Sequence, residues 1–354
     1  MASRPNAALL FRRLRGISAS STPMRRIAAV TTISPSRSFS GSPQNRTQQT
    51  PSPPPHPDAN PNPAAEHPAF TTVSPDEISH FNNLASSWWD PQGPSRILHL
   101  MNPLRHDFIR SCRSSVPHAG THNSQDDQPT SSATTKTGGG GLRYLDIGCG
   151  GGIFAESAAR LPDTASVTAI DPSPEVIAVA RAHARRDPLL LAPRRQGGGA
   201  KLEYINTSVE QLAVPRAASE AYDVVSVFEV LEHVASPAAF LDRCAPLVRP
   251  GGGGWLVLST IARTWTSWLT TNVMAEDVLR IVPRGTHDWR KYVNPDELRR
   301  HFLPAGEDKR PGPGGCVWAD PVCMGVVYVP GFGWKAVPGS EEFGNYFFAV
   351  RRVD

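Results

Sequence analysis

From Arg143 to Val350 the chain repeats one pattern: a run of apolar, largely β-branched residues, a turn, then apolar residues at helical spacing. The runs "RYLDIG", "SVTAID", "LEYINT", "YDVVSVFEV" and "GGWLVLSTI" read as buried strands. Between the first three, "GIFAESAARL" and "SPEVIAVARAHARR" predict helices. Strands alternating with helices predict an α/β protein built on a doubly wound, mostly parallel sheet, with ligands at the carboxyl ends of the strands. Two late runs, "MGVVYV" and "NYFFAV", are expected to close a seven-stranded sheet as an antiparallel C-terminal hairpin.

Upstream, "SPDEISHFNNLASSWWD" predicts a helix that presents Ile78, Phe81 and Leu84 on one face. Ser74 stands where an N-cap belongs, Pro75 at the first turn, and Glu77 at the third position, the spacing of a capping box. Before it, "TQQTPSPPPHPDANPNPAAEHP" is a Pro-rich extended linker that cannot form a core. The polar, repetitive stretches at about 118–141, 191–200 and 304–315 read as loop insertions. The expected organisation is a leader over 1–45, a disordered linker over 46–72 and one folded domain over 73–354.

Charge is unevenly distributed. The first acidic residue is Asp58, and eight arginines precede it without a lysine, so the rest of the chain carries an excess of acid despite a formal net charge of +4. That balance argues against a nucleic-acid partner. The Arg-, Ser- and Ala-rich start has the composition of a mitochondrial transit peptide, and "RSFS" at Arg37 to Ser40 resembles a matrix-processing site. A disordered basic tail is the alternative. Five scattered cysteines include no C-x-x-C pair, which suits a reducing compartment. No apolar run is long enough to span a bilayer.

The candidate chemistry starts at "YLDIGCGGGIFAE". A glycine-rich turn between strand and helix lets a ligand approach the backbone and the unpaired N–H groups of the helix start. A dinucleotide site would want G-x-G-x-x-G and a pyrophosphate. Here Asp146 stands two residues before Gly148, and Gly150 follows in the same loop. A carboxylate there repels a pyrophosphate and suits a cationic nucleoside, with S-adenosylmethionine the leading candidate. Asp171 ends the next strand, where an acid accepts from both ribose hydroxyls. Asp146 as a brace of the loop and Asp171 as a turn former before Pro172 are the structural alternatives.

These residues, together with "FNNLASSWWDPQGPSRILHLMNPLRHDFI", "LDIGCGGGIFAESAARL", "VFEVLEHV" and "SWLTTNVMAEDVLRIVPRGTHDW", resemble the class I S-adenosylmethionine-dependent methyltransferases, and among them the ubiquinone-biosynthesis O-methyltransferases. The "W-W-D" and "N-P-L-R" segments carry the narrower likeness, since no doubly wound fold requires them. The resemblance implies a Rossmann-like methyltransferase that methylates phenolic hydroxyls of polyprenylated rings at two points of ubiquinone synthesis. It implies cofactor contacts from Arg105, Gly148, Asp171 and Phe228. Arg105 has the fork to pair with the methionyl carboxylate. Phe228 stands where Met or Leu is expected, and Val329 where relatives tend to carry Asn before Pro.

After the fourth strand, "FEVLEHV" brings Glu229, Glu232 and His233 to the cofactor end of the sheet. If this segment turns helically, the three share a face. Two carboxylates and an imidazole suit a divalent cation, with oxygen ligands favouring magnesium, which would lower a catechol's phenol pKa. That reading rests mainly on the resemblance. In the alternative, without metal, the acids brace adenine or the helix start and His233 is the general base; His233 and Glu232 are the candidate catalytic residues.

The segment "TWTSWLTTNVMAEDVLRIVPRGTHDWRKY" combines Trp265, Trp268 and aliphatic residues with Arg280, Arg284, Arg290 and Lys291. Such a segment lies in an anionic bilayer surface, or packs as a lid or core element. The expected location is peripheral, on the matrix side of the mitochondrial inner membrane, where a polyprenylated phenol or quinol is found. The resemblance also implies a complex of ubiquinone-synthesis proteins. A methyltransferase acting on nitrogen or carbon, and a non-catalytic scaffold, are the competing functions.

Overall fold

The apolar runs become a continuous sheet whose middle is buried on both faces, β4 (Val224–Phe228) and β5 (Gly254–Ile261) being buried at every residue. The computed structural model describes residues 71–116, 141–191, 200–264, 291–304 and 311–354. The chain divides into two units, Met1–Ala65 and Glu66–Asp354. The first lies outside the described residues, as do the predicted leader and nearly all of the linker, most of the loop insertions and the segment from Trp265 to Arg290.

The strands are β1 (Leu142–Ile147), β2 (Thr164–Asp171), β3 (Lys201–Asn206), β4 (Val224–Phe228), β5 (Gly254–Ile261), β6 (Trp318–Val329), β7 (Gly333–Ala336) and β8 (Asn345–Arg352). Their order is β3-β2-β1-β4-β5-β8-β6-β7, with the first five parallel. The doubly wound sheet is as expected, with eight strands among the described residues where seven were expected. The extra one, β7, is four residues long and opens on a glycine, too short for alternation to reveal. The two late apolar runs do pair antiparallel, Met324 opposite Phe347, yet they do not form the hairpin. The hairpin is β6–β7, and β8 returns to fill the gap between β5 and β6. β8 takes that central place because its residues from Tyr346 to Val350 are buried throughout.

Among the described residues the α-helices are α1 (Pro75–Leu84), α2 (Arg96–Ser114), α3 (Ile153–Ala159), α4 (Pro174–Ala184), α5 (Pro188–Leu191), α6 (Pro237–Cys244) and α7 (Pro295–Phe302). Ser173 caps α4, its hydroxyl accepting from the Val176 N–H at 3.1 Å. At α1 the expected capping box is absent: Ser74 makes no side-chain cap bond. Glu77 is drawn instead to His233 and to the charged Lys291, partners from distant segments. A charge-assisted pair outcompetes a neutral backbone N–H at an exposed helix start. Just before α1, Thr72 is buried and donates from both its N–H and its hydroxyl to Glu210.

Two apolar layers sandwich the sheet. One is centred on Leu145, Val225, Leu256 and Phe348, the other on Tyr144, Phe154, Val257 and Phe347. A third, small cluster of Trp88, Ile153 and Val176 joins the N-terminal helical segment to the loop that follows β1. That junction positions the site.

Candidate functional site

The turn after β1 is shaped by glycines that have no substitute. Gly148, Gly150 and Gly152 have φ of 68°, 52° and 89°, the left-handed region that side chains avoid. Space is equally short: a Cβ would strike Val230 at Gly148, the Trp88 ring at Gly150 and Gly151, and the Tyr204 hydroxyl at Gly152. α3 begins directly after this turn, which leaves its first N–H groups without intrahelical partners.

A cavity lies over the carboxyl ends of β1, β2 and β4. Its walls include Gly148, Gly150, Asp171, Phe228, Glu229, Glu232 and His233, and α1 roofs it with Glu77, Ile78 and Phe81. Seven of the nine predicted site residues therefore share one cavity. Arg105 and Asp146 are not among its lining residues.

Asp171 accepts from the Gly150 N–H at 3.0 Å and from the Ser173 N–H at 2.9 Å, so it braces the glycine loop as well as facing the cavity. Burial pushes its carboxyl up to about 6 against the pull of those two donors. Asp146 is buried, with one oxygen 2.7 Å from the Ser226 hydroxyl and the other, Oδ2, without a hydrogen-bond partner. Burial raises it to about 7, opposed by Ser226 and by the field of Arg105.

Arg105 is only 3% exposed, far from the solvated helical arginine its sequence context permits. Its guanidinium carbon lies 4.8 Å from the centroid of the Phe228 ring, and its Nε has no partner. Desolvation lowers its pKa, while Glu229, Asp146 and Glu232 raise it. Phe228 is held edge-on by Phe154 at 4.7 Å, which accounts for an aromatic residue where an aliphatic one is expected. An unpartnered arginine nitrogen and an unpartnered carboxylate oxygen, both buried, are a complementary pair for an amino acid's two charged groups.

The turn after β4 departs from the helical expectation. Glu229 has a left-handed backbone, φ 57°, and only Leu231–His233 form a 3₁₀ turn, so the three polar residues are not on one helix face. A left-handed non-glycine residue is strained and held by its surroundings. Here the Glu229 N–H donates to the Ser259 carbonyl at 3.1 Å, and the Ser259 hydroxyl donates to its carboxylate at 2.6 Å. Glu232 accepts from the Thr260 hydroxyl at 2.9 Å. Its carboxyl is raised to about 7, first by burial and then by the field of Glu229.

His233 presents Nδ1 to Glu77, and the Phe81 ring meets its imidazole edge-on at 4.9 Å. Its Nε2 is thus the ring nitrogen left for a substrate proton or a metal. Among the described residues no group of three or more His, Cys, Asp or Glu is gathered closely enough to hold a metal ion. The surrounding bonds are nonetheless of the outer-sphere kind: a carboxylate behind the imidazole and a hydroxyl behind each carboxylate. Glu77, Ser226, Ser259 and Thr260 were not predicted as members of the site. Only contacts between remote segments place them there, and no local spacing marks them.

A family profile described as a methyltransferase domain matches residues 104–306. The ubiquinone biosynthesis O-methyltransferase, mitochondrial, of Candida albicans is 39% identical over 304 residues, covering 80% of this chain and 86% of the relative. The protein of the same name from Schizosaccharomyces pombe is 45% identical, covering 79% and 87%. The ubiquinone biosynthesis O-methyltransferase of Nitrobacter winogradskyi is 38% identical, covering 84% and 97%. With identity of this order sustained over most of both chains, this protein belongs to the ubiquinone biosynthesis O-methyltransferases.

Proposed function

We propose that the chain transfers a methyl group from S-adenosylmethionine to phenolic hydroxyls of polyprenylated ring intermediates, a polyprenyl dihydroxybenzoate and a demethylubiquinol. The observation that carries this reading is one cavity bounded on one side by the glycine loop and Asp171 and on the other by Glu232 and His233. Asp171 takes the ribose hydroxyls, and Phe228 packs against the nucleoside. Arg105 and Asp146, each with an unpartnered atom, complement the methionyl carboxylate and ammonium. The sulfonium methyl then faces the β4 turn, where an aryl oxygen approaches in line; holding the two reactants together supplies much of the rate.

The phenolic proton leaves to His233. Glu77 behind Nδ1 orients the ring and stabilises the imidazolium that forms. Glu232 stabilises the same charge from the other side. Magnesium is the second reading: Glu229, Glu232 and His233, although not gathered into a ligand set among the described residues, would be the residues to hold it, and the ion would polarise a catechol oxygen and lower its pKa.

The mitochondrial names of the fungal relatives and the acid-free, Arg-rich N-terminal sequence support import into mitochondria. The composition of residues 265–290 supports peripheral contact with the matrix face of the inner membrane, where the prenylated substrate and its partner proteins would be met. The test is a turnover assay with labelled S-adenosylmethionine and a short-chain prenylated catechol, read by mass spectrometry. A methoxy product is expected. Methylation at nitrogen or carbon of another acceptor, with none here, would overturn the reading. Activity that survives chelation unchanged would remove magnesium and leave His233 as the base.

A further inference from the structure

No doubly wound sheet requires the tandem tryptophans Trp88 and Trp89, yet both lie on the glycine loop. Trp88 packs its ring against Gly150 and Gly151 and forms part of the cavity wall. Trp89 is not in that wall. Its indole N–H donates to the Gly151 carbonyl at 2.8 Å. The flat face of the indole stacks on His183, 3.4 Å between centroids and 4° from parallel.

His183 is held in turn. Its Nδ1 lies 2.8 Å from Oε1 of Glu156, a carboxylate with no exposed side-chain surface, whose other oxygen accepts from Arg160 at 2.8 Å. Glu156 belongs to α3, the helix that the glycine loop opens into. The contacts therefore close a circuit: α3 holds the imidazole, the imidazole holds the indole, and the indole holds the loop at the start of α3.

What the circuit fixes is a peptide orientation. The C=O and N–H of a planar peptide point in opposite directions, so holding the Gly151 carbonyl also sets the Gly152 N–H, which donates to Cys149 at 3.0 Å. In a loop where Gly148, Gly150 and Gly152 have left-handed backbones, free glycines would otherwise sample many conformations. Ordering them before the ligand arrives removes that cost from binding.

We propose that Trp89 is a positioning residue, which sets affinity for S-adenosylmethionine by holding the glycine loop and not by touching the cofactor. The inference rests on the reading of the cavity given above. In the full chain, Trp89→Phe keeps a ring for His183 and removes the N–H donor. The dissociation constant for S-adenosylhomocysteine by calorimetry, and KM for S-adenosylmethionine, are expected to rise about five- to tenfold, the worth of one hydrogen bond. The value of kcat at saturating cofactor and KM for the phenolic acceptor should stay within about twofold of the parent, and a cofactor-free melting curve should be little changed. His183→Gln keeps a donor for Glu156 and loses the flat ring; a smaller rise in the same two constants is expected. The double variant should fall short of the product of the single effects, because both act through one contact.

Unchanged cofactor constants in Trp89→Phe, or a fall in kcat with KM for the cofactor unmoved, would overturn the proposal. If Trp89→Phe does not fold, His183→Gln decides alone, and an unaltered cofactor KM sinks the idea. A parent chain that takes up no S-adenosylhomocysteine would instead refute the reading of the cavity, so the two failures are distinguishable.

Discussion

The Nδ1 atom of His233 lies 2.9 Å from Oε2 of Glu77, a residue 156 positions earlier in the chain, and Lys291 reaches the other oxygen of the same carboxylate at 2.8 Å. The hydrogen bond from His233 holds the Glu77 carboxyl down at about 2. For His233, burial works against the imidazolium, but the Glu77 bond and the fields of Glu232, Glu77 and Glu229 outweigh it and raise the pKa. The roof helix α1 is thereby tied to the turn after β4 by a hydrogen bond.

Glu77→Gln removes that charge and leaves a hydrogen-bonding group. The predicted kcat is lower by about tenfold to a hundredfold, as when other partners behind an imidazole are lost. A base works only when deprotonated, so a raised pKa confines activity to higher pH. With the carboxylate gone the imidazole pKa falls, and the acid limb of the kcat profile should move to lower pH. A profile unmoved on the pH axis would separate Glu77 from proton transfer.

Glu232→Gln keeps an acceptor for the Thr260 hydroxyl and removes the charge. We expect kcat to drop by about a hundredfold or more, with affinity for S-adenosylhomocysteine within about twofold of the parent. Loss of cofactor affinity with turnover intact at saturation would reverse the assignment of this side chain.

Cofactor binding should strengthen with pH. Burial raises Asp171 to about 6 and Asp146 to about 7, against an ordinary value near 4. Between the ordinary and raised values the folded, ligand-free protein binds more protons than the unfolded chain. These two groups therefore cost stability as pH climbs through that window. Ribose hydroxyls and an ammonium favour the ionised forms, so ligand uptake releases protons. Calorimetry of S-adenosylhomocysteine binding in buffers of different ionisation enthalpy should detect that release near pH 6, and Asp146→Asn should reduce it.

Gly152→Ala places a methyl group on a residue with φ of 89°, directly against the Tyr204 hydroxyl. A destabilisation of at least about 1 kcal/mol is predicted from the backbone alone, with more from the collision. The melting temperature should fall and cofactor affinity with it. A melting temperature equal to the parent's would show that the loop tolerates another backbone path.

Much of the fold is local information. Continuous apolar, β-branched runs and period-3.6 patterns locate β1 to β5, α1, α3 and α4, because burial of one face or both is decided within a few residues. Asp146, Gly148, Gly150 and Asp171 were legible for the same reason: each lies at a fixed offset from a strand end, and β1 and β2 pair in register through Asp146 and Ala169. β7 and the insertion of β8 between β5 and β6 were not legible, since strand order depends on which edges remain open once the other strands have paired.

The site shows the same division. Residue types and spacing along the chain were enough to specify a glycine turn, two strand-end carboxylates and an acidic turn with a histidine. Only the tertiary structure decided that Glu77 leaves its helix cap to hold His233, that Ser259 and Thr260 hold Glu229 and Glu232, and that Trp89 closes on Gly151. The reason is physical: turn and strand preferences act over a few covalent bonds. A side chain's choice among competing partners is settled by the burial and charge that distant segments bring to it.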